Sequence, residues 1–290
     1  MTVTRICYKL STGDNYIDLA RDLSLLQRTM IRQKQTFTVL GAQVVDNTTG
    51  TVKISTAPNF WYVRAAINRC FKAWKSQRAL ALDNAELEDS KFAVGKFSDF
   101  KMTLNGSPTN CLPQFDNGGT TSDLAAPHEW AVASVIDELG TEKHFKIVGD
   151  HTGSQYGATK GWLQTRAIPD ANYEPDMPDL GDGQGNAADG VSDYRQDFIN
   201  LLNDTGTGQS ERLTLVYEDN DQAPYALQNI YGNMDSNYNL QIQSKTYLTS
   251  TNPHHMVAGF KALCGLIHVK VTDGSSPLLF LEVHNSPEAF

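Results

Sequence analysis

A chain of 290 residues, 40% of them hydrophobic and with 22 glycines, has the ordinary apolar share of a folded globular protein, which excludes bulk disorder. Its net charge of −9 averages two unlike parts: residues 1–80 hold 12 Lys and Arg against 4 Asp, a net of +8, and the remainder holds 12 against 29, a net of −17. A uniformly acidic surface is excluded, and a polyanion or an acidic partner surface is expected near the basic end.

In chain order, residues 3–9 read as a first strand, and residues 16–33 read as a helix because Ile17, Leu19, Leu23, Leu26 and Met30 recur near helical spacing. Residues 36–45 are β-branched and aromatic, residues 47–50 (NTTG) form a turn, and residues 51–55 return as the second strand of a hairpin. The strongest helix signal covers residues 59–80, with Ser55 and Thr56 as capping candidates, Pro58 in the first turn, and Phe60, Val63, Ile67, Cys70, Phe71 and Trp74 on one face. Further strands are expected at 95–104, 129–136, 144–148, 163–167 and 212–217. The clearest two are 266–272 and 278–284, predicted to close the fold as a hairpin through the turn DGSSP.

Long polar loops at 105–127, 149–160, 169–190 and 218–253 separate these elements, and loops of that length in a compact domain imply binding, display or subunit contact. Short strands with long loops predict an all-β fold with a few helices: a single jelly roll, an eight-stranded antiparallel sandwich. One domain over 1–290 is expected, its first 35 residues a strand and helix segment packed on or under the sandwich. Four scattered cysteines argue against a zinc site and a disulfide framework. No apolar run reaches membrane-spanning length, and MTVTRICYKLSTGDN lacks the apolar core of a signal peptide, so no membrane and no secretory route are expected.

Few residues offer chemistry. Arg64, Arg69, Lys72, Lys75 and Arg78 follow one another with no acid between residues 57 and 81. At about 100° per residue Lys75 falls about 20° from Arg64, with Lys72 nearby, so they share a face that suits phosphates; a plain solvated face is the competing reading. A sparser set, Arg28, Arg32 and Lys34, follows Arg21 of the first helix and extends the candidate nucleic-acid-binding surface. The acidic group Asp170, Glu174, Asp176, Asp179, Asp182, Asp189 and Asp193 lacks the order of a calcium loop and reads as solvated surface. Asp150-His151 and His254-His255 are the only local histidine pairs, and no nucleophile elbow, phosphate loop or dinucleotide fingerprint occurs. No catalytic residue, metal site or cofactor is expected, and Trp61, Trp74, Trp130 and Trp162 read first as core or interface.

The blocks YIDLARDLSLLQRTMIRQKQTFTVLGAQVV and GTVKISTAPNFWYVRAAINRCFKAWKSQRA resemble the N-terminal half of capsid proteins of small circular Rep-encoding single-stranded DNA viruses, and GFKALCGLIHVKVTDGSSPLLFLEV is similar to their final strands. The resemblance covers about eighty residues at one end and about thirty at the other, not the middle. It implies a non-enzymatic jelly-roll subunit whose partners are itself, as a 60-copy icosahedral T=1 shell, and a circular single-stranded DNA genome; a host surface receptor is unspecified. Such capsids often open with a long Arg-rich arm, whereas this chain starts MTVTRICYKL. The 59–80 helix with Arg28, Arg32 and Lys34 is expected to do a modest version of that job, or packaging depends weakly on protein charge. The competing readings are a carbohydrate-binding jelly-roll module or phage receptor-binding protein, and a metal-dependent hydrolase built on loop His and Asp.

Overall fold

Apolar side chains at every second position define the strands that carry this fold. The computed structural model describes residues 3–84, 98–116, 121–123, 128–137, 140–164, 240–272, 276–284 and 287–290. Nearly all of them belong to one compact unit, Met1–Trp162 with Asn233–Phe290; a second unit, Leu163–Gly232, lies outside the described residues except at its first two. In chain order the elements are β1 (Val3–Lys9), β2 (Gly13–Asp18), α1 (Leu19–Gln27), β3 (Gln35–Val45), β4 (Gly50–Thr56), α2 (Trp61–Asn84), β5 (Gln114–Asp116), β6 (Thr121–Asp123), β7 (Ser134–Ile136), β8 (Glu142–Lys146), β9 (Gln155–Gly157), α3 (Ala158–Gln164), β10 (Gln241–Leu248), β11 (His254–Leu263), β12 (Leu266–Thr272), β13 (Leu278–His284) and β14 (Glu288–Ala289).

The described chain is mostly β-sheet. One sheet has the order β1-β13-β3-β11, with β14 also on β3, and the other has the order β10-β4-β12-β2; every pairing in both is antiparallel. Ile6 and Tyr8, Val39 and Val44, and Leu279, Leu281 and Val283 from the first sheet share one buried cluster with Ile17, Val52 and Ile54, and Ile267, Val269 and Val271 from the second. The two sheets therefore face each other across a common core, and each such side chain contributes about 1.5–3 kcal/mol by leaving water. A second buried cluster joins α2 to the small β7-β8-β9 sheet and to Leu263, Cys264 and Leu266 at the β11–β12 corner. That corner consists of Cys264 (φ 56) and Gly265 (φ 68), two successive left-handed residues that turn the chain from one sheet into the other.

Several expectations change. Residues 16–33 are not one helix: Tyr16 and Ile17 complete β2 against β12, Asp18 caps α1 by accepting hydrogen bonds from the Ala20 and Arg21 amides, and Arg28 (φ 54) ends it. The two expected hairpins are absent, because β3 and β4, like β12 and β13, lie in opposite sheets. Alternation fixes which face is buried but not which strand is the neighbour. Ser55 and Thr56 belong to β4 rather than capping α2, which starts at Trp61 and runs to Asn84. The expected strand at 129–136 shrinks to β7, and that at 144–148 shifts to β8. From the expected strand at 95–104, residues 98–104 hold no named strand, only a bridge from Thr103 to Lys146. Leu163 and Gln164 close α3, whereas 165–167, 212–217 and the loop 169–190 lie outside the described residues. The loop expected at 105–127 carries β5 and β6, that at 149–160 carries β9 and the start of α3, and that at 218–253 carries β10. The first 35 residues give one strand to each main sheet and α1.

Candidate nucleic-acid interface

Helix α2 forms where a helical stripe of apolar residues meets a hydrophobic wall. Val63, Ala66, Ile67 and Cys70 are buried, and the half-buried rings of Phe71 and Trp74 lie 5.6 and 5.8 Å from that of Phe100. Gln77 clamps the exposed end of the stripe, donating to the Ile136 carbonyl at 2.7 Å and accepting from its amide at 2.9 Å. Burial pushes the Cys70 thiol up to about 12, with the Arg69 charge opposing, so it packs as a neutral apolar group. Phe60, expected on the buried stripe, is exposed, because it precedes the helix.

The remaining arc of α2 is basic. Lys72 and Lys75 are exposed and Arg64 is half-buried, and among the described residues none of the three enters an ion pair. Arg64 and Lys75 stand about 16 Å apart along the axis at 1.5 Å per residue, with nearly the same angular position. The flanking cations are engaged. Arg69 lies 6.0 Å over the Trp162 ring; Arg78 lies 5.4 Å over Trp74 and donates to Ser98 Oγ.

The second basic set divides. Lys34 reaches α2, its ammonium 5.0 Å over Phe71 and 5.4 Å over Phe290 while donating to the Phe290 carbonyl at 2.8 Å. Arg32 is exposed and pairs with Asp99 at 3.4 Å, one residue from the Ser98 that holds Arg78. Arg28 caps α1 and lines a separate hollow with His128, Glu129 and Trp130. Arg64, Lys72 and Lys75 thus form the open part of the surface. Arg69, Arg78 and Lys34 hold aromatic rings at its edges, and Arg28 stands apart.

A buried polar cluster around α1 went unread in the sequence. Asp22 accepts from Arg21 Nε and from the Tyr8 hydroxyl, both at 2.8 Å, and Arg21 also donates to the Cys111 carbonyl. Asp18 accepts from Trp130 Nε1 at 2.7 Å and from Gln33 Nε2 at 3.0 Å, and Gln33 brackets Met102 through both its amide and its carbonyl. Burial raises Asp22 to about 7 despite the neighbouring Arg21 charge. This cluster welds the first strand and α1 to the 98–105 segment, and its Arg21 and Trp130 also line the hollow beside Arg28.

His151 and His268 also serve the fold. His151 accepts from the Gly157 amide at 3.1 Å and stacks on Tyr156 at 4.5 Å, beside an Asp150 paired with Lys160. His268 is buried in β12, bonded to Asp14 at 3.0 Å and 4.9 Å from the Tyr16 ring. The pair His254-His255 sits at the start of β11 opposite Val45 and Val44. Among the described residues no group of three His, Cys, Asp or Glu could hold a metal ion, and no helix is long and apolar enough to cross a membrane. The acidic group from Asp170 to Asp193 lies outside the described residues.

Also unread was a row of lysines across one sheet: Lys245 of β10 is opposite Lys53 of β4, which is opposite Lys270 of β12. Residues 53, 245 and 270 are remote in sequence, and only the register brings them together. Compared with known protein families, curated proteins and solved structures, the chain matches none.

Proposed function

We propose that this chain is the jelly-roll subunit of a small icosahedral capsid that encloses a circular single-stranded DNA genome, with α2 as a genome contact. The observation that carries the reading is the pairing of the eight long strands. In sequence order they pair first with last, second with seventh, third with sixth and fourth with fifth: β1 with β13, β2 with β12, β3 with β11, β4 with β10. Rolling such a hairpin of four strand pairs adds β13 to β3 and β12 to β4, the two remaining contacts among the eight. This pairing supports the jelly-roll reading, an architecture used by viral shells and by lectin-like modules.

Three features favour the shell. The resemblance at both ends of the chain points there; exposed apolar side chains such as Trp61, Leu40, Ile242 and Met256 suit burial against neighbouring copies; and the open cations of α2 supply a sequence-independent phosphate contact. One hollow favours a glycan-binding module instead: Phe145, Tyr156 and Trp162 line it, with Arg69, Asp137 and Lys143 around them.

The test is nuclease protection. The purified chain is expected to carry single-stranded DNA that survives nuclease, and the joint substitution Arg64→Ala, Lys72→Ala, Lys75→Ala is expected to lower that content severalfold while leaving the melting temperature within a degree or two. Protected DNA unchanged by the substitutions would remove α2 from the account. No protected DNA, together with selective binding in a glycan screen, would replace the shell by the module.

A further inference from the structure

We propose that the outer face of the β10-β4-β12-β2 sheet is a second binding surface for single-stranded nucleic acid, with Lys245, Lys53 and Lys270 on the phosphates and Tyr247 as a stacking platform for a base. The proposal takes the identity of its ligand from the capsid reading above, but its geometry stands independently.

Val52 and Ile54 on either side of Lys53, and Val269 and Val271 on either side of Lys270, point into the core; Thr246 beside Lys245 is buried as well. The three lysines therefore project from the opposite face. Their strands are neighbours about 4.8 Å apart, so the three lysines start from backbone positions within about 10 Å of one another. The row ends at Asp14 of β2, opposite Lys270. Among the described residues no ion pair neutralises any of the three.

Like charges directly opposite in a sheet are destabilising, and nothing in the packing of this fold requires them, since an uncharged polar side chain would serve an outward position as well. A locally unfavourable arrangement of this kind is expected at functional sites. The neighbouring row senses it: burial lowers the pKa of His268, the Asp14 pairing opposes this, and the Lys53 and Lys270 charges lower it further. Two residues beyond Lys245, Tyr247 is 65% exposed, and the Lys245 ammonium lies 5.1 Å from its ring centroid. A cationic row beside a solvent-facing ring is the combination that holds single strands without reading their sequence: phosphates on the cations, a base on the ring. A sulfated glycan would use the cations but has no base for the ring.

The experiment measures binding of a fluorescent 20-nucleotide oligo-dT by polarisation across a salt series, on unassembled and particle fractions separated by gel filtration. The triple substitution Lys53→Gln, Lys245→Gln, Lys270→Gln is expected to flatten the log affinity against log salt slope by about 2, at about 0.7 per lost single-strand contact. It should also leave the melting temperature unchanged or higher, because repulsion is relieved. Tyr247→Ala is expected to weaken binding severalfold with the slope unchanged, and Lys53→Gln alone serves as the milder variant. An unaltered affinity and slope in these variants, or no oligo-dT binding by the parent chain, overturns the proposal; so does a triple variant that loses heparin binding but keeps oligo-dT. Light scattering on the same samples separates the two claims. Shells with an unchanged slope sink the lysine row alone, and row-dependent binding without shells sinks the capsid reading alone.

Discussion

Arg21, Asp22 and Tyr8 show how one buried charge pair is tolerated in an otherwise apolar core. The Asp22 carboxylate keeps both oxygens bonded, yet burial outweighs the Arg21 charge and raises its pKa to about 7. A carboxyl raised above its unfolded value contributes stability that is fully present below about pH 4 and is lost as pH rises through about 7. His268 acts in the opposite sense: burial lowers its pKa, so its contribution is present above about 6.5 and is lost as pH falls through the lowered value. Removing the cation isolates the first effect. Arg21→Met is expected to cost up to about 3–5 kcal/mol at pH 8, where the parent Asp22 is charged beside Arg21 and the variant must take up a proton or bury a charge held by Tyr8 alone, and distinctly less at pH 5, where Asp22 holds a proton in both. Urea denaturation at the two pH values checks this, and equal losses at both would mean that Asp22 does not titrate in this range. None of the cluster was legible in the sequence, because Tyr8, Arg21, Cys111 and Trp130 are brought together only by the sheets.

At the scale of elements, α2 was readable because its apolar residues repeat at helical spacing over several turns and its wall, Phe100 and Phe145, completes a second core. Ile67 is fully buried there, so Ile67→Ala is expected to cost about 2–5 kcal/mol in equilibrium unfolding, and an unchanged midpoint would mean that the helix docks by another face. The segment 16–33 was misread for a related reason. Leu19, Leu23 and Leu26 have helical spacing, but Ile17, two residues before Leu19, belongs to a strand and the boundary is set by one capping residue, Asp18, that periodicity does not weigh. Strands β12 and β13 were legible to the residue from alternation alone, whereas β10 was hidden inside a polar stretch, since Gln241, Gln243, Ser244 and Lys245 give it no clean apolar period. The lysine row was illegible for the deepest reason: register is a property of pairs of strands.

For the whole molecule, the charge split along the chain is only part of the surface pattern. The basic end supplies β1–β4 and the open cations of α2, but the row across the second sheet takes Lys245 and Lys270 from the acidic remainder. What organises the molecule is the wrapping of eight strands, and the proposed shell follows from that wrapping together with exposed apolar side chains and unneutralised cations. The most direct test is the mass of the purified full chain by light scattering with electron microscopy, at low and at physiological salt. Sixty copies of 32.0 kDa come to about 1.9 MDa, and uniform closed shells near that mass are the predicted result. A monomer or small oligomer at every salt concentration would contradict the account.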